Sequence, residues 1–244
     1  RAENALDRML EQDLGQIVQG QFTINELNNI SNSFNNVMAP RESQSFLDHS
    51  HKFSIGDQVE FLGNALGYNV ALSYSRDFSY YDDGTFAIYE ESNTPSPLKT
   101  MEDERGSDKV NMVGLVNLNY KLSNNNKLGF RFLKSQAGTK NARYQDGYFY
   151  YENMYNTDRV LGYLERSFDS YQLHGKHVLP SFNKMVINWM GAYTDMAQEE
   201  PDLRFFENLY EMNNGDPTNY MLKTNTTPAR FYREMGEYNF HNKV

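Results

Sequence analysis

The stretch Lys109-Val110-Asn111-Met112-Val113-Gly114-Leu115-Val116-Asn117-Leu118-Asn119-Tyr120-Lys121-Leu122 alternates without a break. Val110, Met112, Gly114, Val116, Leu118, Tyr120 and Leu122 share one parity, and Asn111, Val113, Leu115, Asn117, Asn119 and Lys121 the other. Successive side chains of a strand point to opposite faces, so this is a β-strand with one oily and one mainly polar face. Its length and the aromatic near its end suit a strand that crosses a bilayer in a barrel, with lipid outside and water inside. Half-buried strands of soluble sandwiches alternate in the same way, so repetition decides more than any single strand.

The pattern recurs. Tyr68, Val70, Leu72 and Tyr74 alternate with Asn69, Ala71, Ser73 and Ser75; Leu128, Phe130 and Phe132 alternate with Lys127, Gly129 and Arg131. Met185, Ile187, Trp189, Gly191 and Tyr193 repeat it against Val186, Asn188, Met190, Ala192 and Thr194. The second member of each pair of faces is small or polar in most places, which suits a hydrated lumen better than a second protein layer.

Composition agrees with that assignment. Hydrophobic residues make up 39% of the 244, aromatics reach 14% with 18 Tyr, and mean hydropathy is −0.75. No window approaches the ~20 apolar residues of a membrane helix, which leaves a barrel untouched because its strands give only alternate residues to lipid. Cysteine is absent, which excludes a disulfide scaffold and thiol chemistry. A net charge of −9 argues against a nucleic-acid partner, which needs a basic face to meet phosphates.

The connections set the topology. Asn64 to Gly67, Ser123 to Asn126 and Leu179 to Lys184 with Pro180 read as short turns. Tyr81 to Asp108, Gly138 to Thr157 and Asp195 to Ala229 read as long polar loops. Short and long connections then alternate, as they do in outer-membrane barrels, provided that Arg159 to Val178 is one long strand with no turn at Asp169-Ser170. About seven strands result: Ile55 to Gly63, Tyr68 to Tyr80, Lys109 to Leu122, Lys127 to Ser135, Arg159 to Val178, Met185 to Thr194, and one starting near Arg230. Seven cannot close a bacterial barrel, whose strand number is even, so the expectation is an all-β, antiparallel transmembrane barrel present in part.

Residues 1–54 read differently. Leu6, Met9, Leu10, Leu14, Ile17 and Val18 recur at helical spacing, so Glu3 to Val18 is expected as a short amphipathic helix, and the Asn- and Ser-rich run Asn25 to Asn36 as a loop. The division is thus a helix with a polar segment over 1–54 and a barrel portion over 55–244.

A resemblance joins these pieces. Gly63-Asn64-Ala65-Leu66-Gly67-Tyr68, Val113 to Lys121, Leu164-Glu165-Arg166-Ser167, Tyr171-Gln172-Leu173-His174-Gly175-Lys176-His177, Asn188-Trp189 and Glu200-Pro201-Asp202-Leu203-Arg204 follow one another in order and spacing. The succession resembles the barrel of TonB-dependent outer-membrane receptors over roughly residues 55 to 240. The resemblance implies a 22-stranded barrel in the cell outer membrane, filled by a plug, that takes up a scarce ligand with energy relayed by the TonB complex. Siderophores, vitamins, peptides and oligosaccharides all enter through receptors of this type, some beneath a surface lipoprotein lid. Neither a plug nor a TonB box is found ahead of the strands. A passive porin and a soluble or surface all-β binding module stay open as alternatives.

Candidate chemistry is sparse. Tyr144, Tyr148, Phe149, Tyr150, Tyr151 and Tyr155 crowd one expected loop, and Tyr148, Tyr150 and Tyr151 are the candidates for stacking on a ligand; the plainer expectation is that they pack loops together. His49 and His51 share a strand face but lack a third metal ligand, and His174 and His177 fall on opposite faces. Asp82-Asp83 and Glu199-Glu200 read as solvated charges. With no Gly-rich phosphate loop, no Gly-x-Ser-x-Gly elbow and no pairable nucleophile and base, neither an enzyme nor a cofactor is expected.

Overall fold

A computed structural model describes residues 28–29, 32–91, 94–223 and 228–244. The chain divides into two units, 1–38 and 39–244. In the first, residues 28–29 and 32–33 are helical where a loop is expected, and the helix expected over Glu3 to Val18 lies outside the described residues. The second is all strand: β1 (His49–Phe61), β2 (Asn64–Tyr89), β3 (Pro97–Lys121), β4 (Asn126–Phe149), β5 (Met154–Leu179), β6 (Met185–Asn213), β7 (Asp216–Leu222) and β8 (Ala229–Lys243). Among the described residues no helix is long and apolar enough to cross a membrane, which says nothing of strands.

All eight strands form one antiparallel sheet in the order β1 to β7, and β8 also pairs with β6. The sheet is open. β7 covers the end of β6 from Asn208 to Asn213 and β8 covers it from Met190 to Phe205, so the two occupy successive stretches of the same edge.

The strands are longer than their alternation suggests. β2 to β6 run for 26, 25, 24, 26 and 29 residues, so the expected long loops at Tyr81 to Asp108, Gly138 to Thr157 and Asp195 to Ala229 are mostly paired strand. β1 also starts ahead of the expected Ile55. The turns at Ser123 to Asn126 and after Leu179 are where they are expected, and β5 is one unbroken strand through Asp169-Ser170. The first turn, however, is Leu62-Gly63, with φ of 50° and 77°, and not Asn64 to Gly67. Its two positive φ values are what a two-residue hairpin needs to match the twist of its strands.

Register sorts the side chains into rows. Ile55, Val70, Val116, Phe132, Tyr171, Tyr193 and Phe240 stand opposite one another across seven strands, and the next row toward the short turns carries Tyr68, Leu118, Phe130 and Leu173 in its middle, with Asp57 on β1 and Asn242 on β8 at its ends. On the same face the first charges above these rows are Arg76, Asp108, Lys134, Asp169 and Asp195, where Arg76 pairs with Asp108 at 2.8 Å and Lys134 with Asp169 at 3.0 Å. The border they mark is stepped. Lys134 stands level with Gly114 and Leu72, four residues short of Arg76, and that level continues through Asp169 to Asp195. Asp108 stands two residues farther along than Arg76, opposite Phe78, and on β8 the first charge of this face is Glu234, opposite Glu199, so the border is nearest the short turns over β4 to β6 and recedes on either side.

The face so outlined has nothing packed on it among the described residues. Phe53, Ile55, Leu72, Leu173 and Phe240 are exposed, and the buried hydrophobic residues are only Met101, Leu209 and Tyr210, far along the strands.

Candidate functional site

The opposite face carries Asn69, Asn117, Arg131 and Gln172 in one row and Asn119, Gly129, His174 and Met190 in the next. Here the sheet bounds a concavity of about 1080 Å³ near the short turns. Lys121, Lys127 and Lys176 line it, and pairing places Lys121 opposite Lys127 and Lys127 opposite Lys176, with Asn188 next on β6. Like charges directly opposite on one face repel, so this ladder opposes the pairing that creates it. Among the described residues no carboxylate lies within ion-pairing distance of the three lysines. Glu60 reaches the same level from β1, opposite Ala65, one strand farther out than Lys121's neighbour β2.

Neighbouring groups shape the concavity. Arg131 donates from Nε to Asn117 Oδ1 at 3.3 Å, which holds the guanidinium along the wall. His174 lies across Gly129, whose missing side chain leaves the space that the imidazole occupies. His177, three residues on, is on the other face, as strand parity requires. There it accepts a 2.9 Å hydrogen bond at Nε2 from Trp189 Nε1 and meets Asn126 Oδ1 at 2.7 Å.

At the far end of the same polar face the charges of a second cluster are paired. Arg143 clasps Asp103 through two hydrogen bonds of 2.7 and 2.9 Å, and Tyr81 donates a third at 2.7 Å. Arg143, seconded by Tyr81, holds the Asp103 carboxyl below the usual aspartate range against the opposing pull of burial. Lys99 binds Asp158 at 2.6 Å, and Lys223 binds Glu207 at 3.1 Å beside the Phe149 ring. These positive groups are matched by carboxylates, unlike the lysine ladder.

The candidate aromatics do not meet at one point. Tyr148 belongs to β4, where its ring packs against Tyr150 and Tyr155 at 5.0 and 5.1 Å and its hydroxyl donates to Asn153 at 2.7 Å. Tyr150 and Tyr151 lie in the turn after β4, and Tyr151 sits 6.3 Å from Phe149 on the other side. Tyr151 is 79% exposed and is the freest of the three to meet a ligand. Tyr155 stacks on Tyr210, whose phenol is pushed up by burial and by its hydrogen bonds to Asp146.

The remaining candidates stay apart. His49 and His51 share a face with rings 5.7 Å apart, and the described residues hold no group of three metal-ligating side chains. The lysine ladder is the feature that residue spacing alone leaves hidden, since only the register, centred on Asn124, sets Lys121 opposite Lys127. Compared with models of known protein families and with curated proteins, the chain matches none.

Proposed function

We propose that this chain forms part of the wall of a TonB-dependent receptor in the cell outer membrane, one that takes up a scarce ligand such as a siderophore, vitamin, peptide or oligosaccharide. The unpartnered apolar band carries the proposal. Strands of a closed barrel tilt by 35–45° and turn one face to lipid and the other to a watery lumen, and this sheet keeps an apolar row from Ile55 to Phe240 on one face and a polar row from Asn69 to Gln172 on the other. From Leu66 to Tyr74 on β2, or Met185 to Tyr193 on β6, the apolar side chains cover eight residue steps, roughly 22 Å of height at that tilt, against the ~25 Å of an outer-membrane band.

Other features agree. Tyr74, Tyr171, Tyr193 and Tyr238 border the band on one side and Tyr120 and Trp189 lie toward the other, as interfacial aromatics do. Short turns close one end of the hairpins, and strands of 24 residues or more carry the other well beyond the band, where loops meet ligands. The outer edges of β1 and β8 have no strand partner among the described residues, and closure of a wall would supply one. Pro201, in one of the stretches that resemble the receptor family, sits at the irregularity between Glu200 and Leu203, where a residue without an N–H interrupts the ladder with β8.

The test uses the absence of cysteine in this chain. Nitroxides at Val116→Cys and Asn117→Cys, in the protein reconstituted in bilayers, should differ sharply: oxygen reaches position 116 and a water-soluble nickel chelate reaches 117. Equal accessibility to the chelate would end the membrane assignment. Ligand uptake that persists after the proton gradient is collapsed would instead favour a passive pore.

A further inference from the structure

We infer that the concavity at the Lys121, Lys127 and Lys176 row is a binding site for a ligand with several anionic groups, phosphates or carboxylates, spaced over up to about 10 Å, the width of three adjacent strands. This needs only the geometry of the polar face and stands whether or not the opposite face meets lipid.

Three observations meet at this place. The lysines are brought opposite one another by backbone pairing, so their ammonium groups share a level on one face and repel. That repulsion is uncompensated although the chain carries a net charge of −9. Elsewhere on the same face Arg143, Lys99 and Lys223 each have a carboxylate at 3.1 Å or less, while Arg105, Lys109 and Arg166 have none at ion-pairing distance among the described residues but do not stand three in a row. Three unmatched lysines set side by side in one row of a protein with surplus acid make a site whose counter-charge comes from outside the row.

The second observation is space: the concavity of about 1080 Å³ is larger than side-chain voids and is lined by those same residues. The third is the kind of group around it. His174 and Arg131 stand one and two rows along the strands, with Gln172 opposite Arg131 and Asn188 in the lysine row, so the lining is rich in donors for anionic oxygens. Lysine is a point charge on a flexible stem, suited to phosphate or carboxylate oxygens without fixed geometry. The site would therefore select by charge number more than by shape.

Isothermal titration of the purified whole protein with inorganic tripolyphosphate and, separately, with the tricarboxylate tricarballylate tests this. The unaltered protein should bind at least one of them in low salt, and the two arms decide between phosphate and carboxylate. Binding should weaken about tenfold or more in Lys127→Gln, be kept in Lys127→Arg, and be unchanged in Lys140→Gln, whose lysine lies on the opposite face. Raising salt should weaken it too, because the attraction is screened. The folding control is thermal: without anion, Lys127→Gln should melt at or above the unaltered protein's temperature because repulsion is relieved. Tripolyphosphate should raise the melting temperature of the unaltered protein more than that of the variant. Failure of the unaltered protein to bind either anion, as when an acidic segment of the polypeptide already fills the row, overturns the inference. So does binding that Lys127→Gln and Lys140→Gln affect alike.

Discussion

The indole N–H of Trp189 on β6 donates to Nε2 of His177 on β5 at 2.9 Å, and the two rings are nearly parallel, 13° apart. Because Nε2 accepts, the proton of a neutral imidazole must sit on Nδ1, where Asn126 Oδ1 receives it at 2.7 Å. A chain of three side chains thus ties the ends of β4, β5 and β6 beside the short turns. Replacing His177 by Leu keeps the bulk but strands the indole N–H. The expected cost is about 1 kcal/mol in stability. Trp189 is the one tryptophan of this chain, so its emission reports the loss directly. An unshifted emission maximum in His177→Leu would show that the bond does not form.

Two glycines next to this chain make a matched pair of tests. A side chain at Gly175 would collide with the Trp189 indole, and one at Gly129 would collide with the His174 imidazole on the other face. Each flat ring takes the room of the missing Cβ on the neighbouring strand. Gly175→Ala and Gly129→Ala should each destabilise by about 1–3 kcal/mol, the range for overpacking. Only Gly175→Ala should shift the Trp189 emission, since Gly129 faces away from it.

How far the fold was legible follows from where the two strand faces differ. Val110 to Leu122 is readable because one face is oily and the other wet. From Glu102 to Asp108 and from Ala137 to Gln145 both faces carry polar or small residues, so the alternation loses contrast although pairing continues without a break. That is why strands were expected to end where only their apolar stretches end. β7 had a signal that went unread: Asn214-Gly215, with φ of 52° and 91°, is a two-residue turn of the hairpin type. The lysine ladder is a different case, because Lys176 joins Lys127 only through a register that no local pattern specifies. Tyr148, Tyr150 and Tyr151 were legible as a group, but their division between the two sides of the hairpin depends on where β4 ends, at Phe149.

Acid should loosen the far end of the hairpins. Asp103 is 5% exposed, and its carboxyl is held below the usual range by Arg143 and Tyr81. A group depressed in the folded state contributes stability above its unfolded pKa, about 3.9, and loses it as pH falls through the lower folded value. Unfolding followed below about pH 4 should therefore steepen with falling pH, and Asp103→Asn should flatten that limb. At neutral pH Asp103→Asn is expected to cost about 2 kcal/mol, less than a fully buried pair because Arg143 is partly solvated. Parallel acid limbs for the two proteins would remove Asp103 from the account.

The turn Leu62-Gly63 offers a gain. Leu62 is 80% exposed and holds φ at 50°, a left-handed conformation that costs a side chain with a Cβ about 1–2 kcal/mol, less for Asn. Leu62→Asn would make the dipeptide Asn-Gly, the preferred sequence for this turn. Stability should rise by roughly 0.5–1 kcal/mol by denaturant titration, with no change at Leu122, which ends the next hairpin. A fall would mean that the Leu62 side chain has an apolar partner outside the described residues.

Val116 and Asn117 are adjacent in β3 and opposite in exposure to whatever lies beyond each face. Val116 stands in the row of Ile55, Val70, Phe132, Tyr171 and Tyr193, and Asn117 in the row of Asn69, Arg131 and Gln172. A barrel in a bilayer charges about 2–4 kcal/mol for an arginine at the middle of its lipid face and far less in its lumen. Val116→Arg should therefore lower the amount of folded protein recovered in outer membranes severalfold, while Asn117→Arg leaves it nearly unchanged. Moving the same arginine along the strand separates lipid from a protein layer. Toward the charged border the cost should fall in steps, with Met112→Arg milder than Val116→Arg, because water reaches the edge of a lipid belt. A cost as great at Met112 as at Val116 would contradict a bilayer on that face.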